Sequence, residues 1–215
     1  MAAITQDRVA DLLTQHAALY RKRPPVYQTV MLQSLAELWQ GHHAAVLDIG
    51  GGTGLMAEAI KTFLPAASVT AVDVVDRYFD SLSVETRVYD GAHLPFADGS
   101  FNAATINNVM HHVPLAIRDQ LMAEICRVVD GPIYIKDHVA TSRLDHWRLT
   151  ALDAIGNIPF GGQIDADYLT MAEWHKLAAN CGRVIGAQAG GAYRRGPMAM
   201  VFPNRLEATF RLDRG

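Results

Sequence analysis

The residues able to do chemistry in this sequence fall in one stretch: a run of glycines, three acids and three histidines. The glycines sit in Val46-Leu47-Asp48-Ile49-Gly50-Gly51-Gly52-Thr53-Gly54, where an apolar, strand-like run meets a turn and then a helical pattern. Lacking a Cβ, glycine takes positive φ in a tight turn and lets a ligand come close to the backbone, as nucleotide-like ligands require. Glycine-rich turns also occur in plain structural loops, so the acids that follow carry more weight.

Asp73 ends a second run, Ser68-Val69-Thr70-Ala71-Val72-Asp73, which follows a helical stretch over about 55–63. Its two carboxylate oxygens suit the two hydroxyls of a ribose. Asp90 comes after Val88-Tyr89 and before the small Gly91 and Ala92, a setting in which a carboxylate accepts from an adenine amino group while backbone amides meet the ring. A fourth apolar run, about 103–106, leads into Asn107-Asn108-Val109-Met110-His111-His112-Val113-Pro114. The glycines are not those of a dinucleotide fingerprint. Gly-x-Gly-x-x-Gly would need a third glycine where Leu55 stands, and the pattern is instead Gly50-x-Gly52-x-Gly54.

Taken together, Asp48 to Gly54, Asp73, Asp90 to Phe101 and Asn107 to Pro114 resemble the class I S-adenosylmethionine-dependent methyltransferases. The branch it resembles is the type 11-like one, with a Leu-Pro-Phe-x-Asp-x-Ser-Phe segment (here Leu94 to Phe101) and paired histidines after strand four. The resemblance spans about 44–135. It implies S-adenosylmethionine as cofactor and S-adenosylhomocysteine as its product. It also places Asp48 and the backbone of Gly50 and Gly52 beside the methionine moiety, Asp73 at the ribose, Asp90, Gly91 and Ala92 at adenine, and the Asn107 carbonyl toward the amino group. Gly51 and Val74 complete that cofactor set. Two departures bear on strand ends and turns: Phe101-Asn102 where the family has Phe-Asp, and Val129-Asp130-Gly131-Pro132 where it has Lys-Pro-Gly-Gly.

The elements that must hold these residues alternate strand and helix, which implies a parallel sheet with ligands at the carboxyl ends of the strands. The expected fold is a Rossmann-like, doubly wound, mostly parallel seven-stranded sheet with helices on both faces. One domain spans 1–215: a helical lid (1–43), a cofactor-binding core (44–140), a substrate-side insertion (141–170), and a closing helix and strands (171–215). Helices are expected over about 5–21 and 27–40 on either side of Pro24-Pro25, then over 115–129, 143–155 and 171–180. The insertion helix runs into a glycine-rich loop at 156–162. Strand five is expected over 133–138, with closing strands near 183–188 and 198–202.

Half of the 215 residues are apolar, enough for one well-filled α/β core, and the net charge of −3 gives no pull toward nucleic acid or an anionic membrane. The only tight basic cluster, Arg21-Lys22-Arg23, reads as a solvated helix end. Cys126 and Cys181 are too few for a disulfide framework and read as reduced. No apolar run is long enough to span a bilayer and no secretory leader is evident, so a cytoplasmic protein is expected, as monomer or homodimer.

Methyl transfer from a sulfonium is an in-line displacement whose charged leaving group does most of the work, leaving the protein to align, desolvate and sometimes take a proton. His112 after strand four and His138 after strand five, beside Asp137, are the candidate bases; His111 is the weaker one. A role in packing or helix capping is the plainer reading of each. No metal-ligand spacing is present, so no metal is expected. Tyr20, Tyr27, Trp147, Phe160 and Tyr168 are candidate walls for the acceptor, although packing alone also accounts for them, and Asp165 and Asp167 read as loop acids. His42, His43 and His175 read as exposed.

Asn107-Asn108-Val109-Met110 lacks the Pro-Pro-aromatic turn that enzymes methylating exocyclic amines share, which favours a small-molecule acceptor at O, N or C. Two alternatives remain at this stage. One is a non-catalytic module that binds S-adenosylmethionine or assembles with a partner; the other is a NAD-dependent oxidoreductase. Use of the sulfonium charge for a rearrangement would keep the cofactor and change the reaction.

Overall fold

The structure, a computed structural model, describes residues 3–157, 166–190 and 193–215. Seven strands, β1 (His43–Ile49), β2 (Ala66–Asp73), β3 (Glu85–Val88), β4 (Ala103–Asn107), β5 (Ile133–His138), β6 (Arg183–Ala189) and β7 (Glu207–Arg214), form one sheet. Their order is β3-β2-β1-β4-β5-β7-β6. Neighbours among the first five strands pair parallel, and β7 runs against both β5 and β6. The order turns back between β1 and β4, and a crevice opens beyond the carboxyl ends of two strands whose connections leave in opposite directions. Asp48 and Asn107 stand at those two ends.

The inner strands read as continuous apolar runs because both sheet faces are covered. Val46 and Tyr134 point to the face packed by α1 (Gln6–His16), α2 (Val26–Leu38) and α3 (Leu55–Phe63). Leu47, Ile49, Ile133 and Ile135 point to the other, under α4 (Leu115–Val128) and α6 (Met171–Asn180), where Trp174 and Phe210 meet edge to face. The boundaries of α6 match the sequence expectation because its start is a capping box: Thr170 and Glu173 each bond the other's backbone N–H.

The expected helix over 5–21 is two pieces. The backbone turns extended at Ala17 (φ −133°, ψ 109°), and a short 3-10 turn, Ala18–Arg21, follows α1. Most of α2 is a core layer, with Met31, Leu32, Leu35 and Leu38 buried; only its first turns and the Tyr20 region reach the cleft. The insertion after β5 is α5 (Arg143–Asn157). The glycine-rich loop expected at 156–162 lies outside the described residues from 158 on.

The closing strand was expected in the wrong place. Residues 196–201 form α7 (Gly196–Val201), with Pro197 in its first turn and Met198, Met200 and Val201 exposed. The strand is β7, where Phe210 and Leu212 are buried while Arg211 pairs with Asp213 at 2.7 Å. The two family departures are both structural: Asn102 Oδ1 accepts from the Ala45 N–H at 3.0 Å, and Gly131 lies so close that a Cβ would be 1.7 Å from the Asn102 carbonyl oxygen. Among the described residues, no helix is long and apolar enough to cross a membrane.

Candidate active site

The turn after β1 needs its glycines. Gly50, Gly52 and Gly54 have φ of +67°, +58° and +81°, a region that costs other residues on the order of 1–2 kcal/mol. Gly54 is the N-cap of α3 and Gly52 faces open space in the cleft. Asp73 ties this turn to β2: one carboxylate oxygen accepts from the Gly52 N–H at 2.8 Å and the other from the Val75 N–H at 3.1 Å, with Arg77 3.6 Å away.

Asp48 is buried in the floor of the cleft. It accepts from the Thr105 hydroxyl at 2.6 Å and from the Asn107 amide at 3.2 Å. Burial pushes its carboxyl up to about 6, against the lowering effect of those two bonds. The Asn107 side-chain oxygen beside it is buried without a partner. A buried acid with no countercharge and an orphaned acceptor together ask for a cationic donor.

A cavity of about 430 Å³ joins these groups. Asp48, Gly50, Gly51, Gly52, Asp73, Val74, Gly91 and Asn107 all line it, as the sequence suggested. Asp90 and Ala92 do not. The Asp90 carboxylate is exposed and closes its own turn, accepting from the Ala92 and His93 N–H groups at 2.8 and 2.6 Å, which hold it down to about 2. Tyr89, which sequence reasoning passed over, lines the cavity instead. Tyr20, Tyr27, Met31, His112 and Ile117 line the same cavity.

Of the two candidate bases, His112 reaches the cavity and His138 does not. His138 is 3% exposed, with Nε2 3.3 Å from Asp153 and Nδ1 3.4 Å from Glu207. Strand five is buried along its whole length, so its final side chain turns into the protein instead of the cleft. His111 is also buried, bonded through Nδ1 to Asp137 and lying 3.3 Å from Asp153 through Nε2. Burial lowers its basicity, but the two carboxylates more than offset this and push it up to about 9. Tyr168 stacks on His111 at 5.1 Å and bonds Asp153. Trp147 is 79% exposed and is no wall. Phe160 and Asp165 lie outside the described residues; Asp167 is exposed, its backbone N–H donating to the His111 carbonyl at 2.7 Å. His42 and His175 are exposed as expected, whereas His43 is buried, 3.0 Å from the Tyr134 hydroxyl.

Sequence reasoning also missed Lys136. Its ammonium, on β5, meets the Tyr27 hydroxyl, the Glu207 carboxylate and, at 3.1 Å, the Asn108 side-chain oxygen. Arg194 joins the same carboxylate. This buried cluster fixes Tyr27 in the cavity wall, and Asn108 serves it from a left-handed backbone (φ +55°) that asparagine tolerates well.

Residues 46–131, from the glycine turn to the approach to β5, match the family model described as a methyltransferase domain. The chain carries a class I S-adenosylmethionine-dependent methyltransferase domain. It is 26% identical over 171 residues to a malonyl-[acyl-carrier protein] O-methyltransferase of Geobacter sulfurreducens, an alignment covering 74% of this chain and 63% of that one. Two solved structures share the fold of this methyltransferase domain. One is a Haloferax volcanii methyltransferase structure in complex with its Trm112 activator (TM-score 0.67, 14% identity, 98% and 95% covered). The other is the magnesium protoporphyrin IX methyltransferase of Synechocystis, solved with S-adenosylhomocysteine (TM-score 0.61, 16% identity, 98% and 96% covered).

The cavity fits the family's cofactor on the chain's own terms. Asp48 and the orphaned Asn107 oxygen can receive an ammonium group, Asp73 can share its oxygens with ribose hydroxyls, and Gly52 leaves the backbone open.

Proposed function

We propose that this methyltransferase domain binds S-adenosylmethionine and moves its methyl group to an O, N or C atom of a small organic molecule. The observation that carries this reading is the single cavity whose lining joins the glycine turn, Asp48 and Asp73 with Tyr20, Tyr27 and His112. Its volume suits a bound small molecule. When bound, the cofactor supplies a methyl group on a positively charged sulfur.

The chain's part is placement. Asp48 and Asn107 hold the amino group and Asp73 the ribose, which fixes the methyl-bearing end toward the aromatic wall. Tyr20, Tyr27 and Met31 keep water away from that end. His112 is the side chain on that wall suited to take the acceptor's proton. The missing Pro-Pro-aromatic turn and the acidic charge balance support a small molecule over a nucleic acid.

Calorimetric titration with S-adenosylmethionine, S-adenosylhomocysteine and NAD in parallel tests the cofactor, and transfer of a labelled methyl group to a panel of small acceptors tests the reaction. Binding of the first two alone is expected. Binding of NAD alone would overturn the reading, and cofactor binding without transfer to any acceptor would leave a non-catalytic binding module.

A further inference from the structure

We infer that His111, His112 and Asp153 form a binding site for one divalent transition-metal ion, zinc by donor type, set in the wall of the cavity. His111 and His112 belong to the turn after β4 and Asp153 to α5, so no sequence spacing announces the site. Each residue offers one ligand atom, and the three atoms lie within 4.8 Å of one another. His111 Nε2 is 3.3 Å from the nearer Asp153 oxygen, about the separation that two ligands at roughly 2.0–2.1 Å take around a tetrahedral zinc ion.

Two further observations point to a ligand here. His111 Nε2 is wholly buried and has no aligned hydrogen-bond partner. Its other nitrogen, Nδ1, bonds the buried Asp137 carboxylate, which also accepts from the Met110 and His138 N–H groups at 3.1 and 2.7 Å. A carboxylate on the far nitrogen fixes the ring and the tautomer that leaves Nε2 to a metal. Asp153 is steadied likewise by Tyr168 and His138.

Two imidazoles and one carboxylate leave a fourth position open, the pattern of zinc sites that take an exogenous ligand. His112 borders the cavity, so that position would take an oxygen or nitrogen of the methyl acceptor, with His112 serving as a ligand in the zinc-loaded protein and as the proton acceptor only in the metal-free one. This last step rests on the methyl-transfer reading; ion binding does not.

The test is metal content and zinc titration of the full chain, first stripped with a chelator and measured without cofactor. One zinc per chain is expected, with tetrahedral visible bands when cobalt(II) is substituted. Asp153→Asn and His112→Ala, both checked for native circular dichroism, should weaken zinc binding at least 100-fold, whereas His175→Ala on the exposed face of α6 should leave it unchanged. Substoichiometric zinc, or unchanged affinity in both site variants, overturns the inference. Loss of S-adenosylmethionine binding with zinc retained would count against the methyl-transfer reading alone.

Discussion

Gly50 lies directly against Val109: a Cβ on Gly50 would stand 2.3 Å from one Val109 methyl carbon. The turn after β1 and the turn after β4 are therefore packed backbone against side chain, and together they form the mouth of the cleft. Gly50→Ala forces two costs, this overlap and a positive φ of 67°. It is expected to weaken S-adenosylmethionine at least tenfold while the fold persists. Adding Val109→Ala removes the overlap but not the dihedral strain, so affinity should recover only in part. Full recovery would show that φ is irrelevant there, and none would show that the overlap is.

Asp48 is expected to trade stability for binding. Its carboxyl is raised by burial from 3.8 to about 6, so the unfolded chain ionises first and stability falls as pH rises between those values. The penalty is complete above about pH 6 and absent below about pH 4. Asp48→Asn should therefore stabilise the ligand-free protein at pH 7 by on the order of 2–3 kcal/mol, with the gain vanishing at pH 4. The same variant should lose S-adenosylmethionine affinity, because a neutral amide cannot pair with an ammonium group. Wild-type affinity should likewise drop as pH falls through 6. Thermal melts and calorimetry across pH 4–8 check both halves; a variant no more stable than wild type at pH 7 would refute the first.

Asp73 is expected to bind a ribose, and it also holds the glycine turn through the Gly52 N–H at 2.8 Å. Asp73→Ala should weaken S-adenosylmethionine by about 1.5–3 kcal/mol, the range for hydrogen bonds to a charged group. S-adenosylhomocysteine, with the same ribose, should lose as much. An unchanged affinity in a correctly folded variant would remove Asp73 from the cofactor site.

Most of the residues expected at the cofactor line the cleft, Asp90 and Ala92 excepted, because local rules write that part of it. Glycines at fixed spacing, and acids at strand ends, are contiguous signals, and the strands that carry them are apolar runs buried on both faces. The buried polar clusters beside the cleft are written in long-range contacts. Asp153 meets His111 and His138 from α5, Glu207 meets Lys136 from the far end of the chain, and no spacing links them. His138 was misjudged because position after a strand says nothing of which way the side chain turns. The closing strand was misplaced because Met198, Met200 and Val201 mimic an apolar strand, while the true one, β7, hides its alternation among charged partners such as Arg211 and Asp213.

Glu207 is the single carboxylate between two buried cations, Lys136 and Arg194, with side chains only 5%, 5% and 3% exposed. Burial alone would raise its pKa, but Lys136 and His138 outweigh this and hold it well below the usual glutamate range. A depressed acid contributes stability above its unfolded pKa of about 4.5, and that stability is lost as pH falls toward the folded value. Glu207→Gln leaves both cations uncompensated, which should cost about 3–5 kcal/mol at pH 7. Because Lys136 also fixes Tyr27, the variant should loosen the aromatic wall as well. The difference from wild type, measured by urea unfolding, should shrink as pH is lowered from 7 toward 3, since Glu207 then takes up a proton in the unfolded wild-type chain and favours unfolding. A cost below about 1 kcal/mol at pH 7, or one that grows in acid, would mean that the two cations find other partners when Glu207 is neutral.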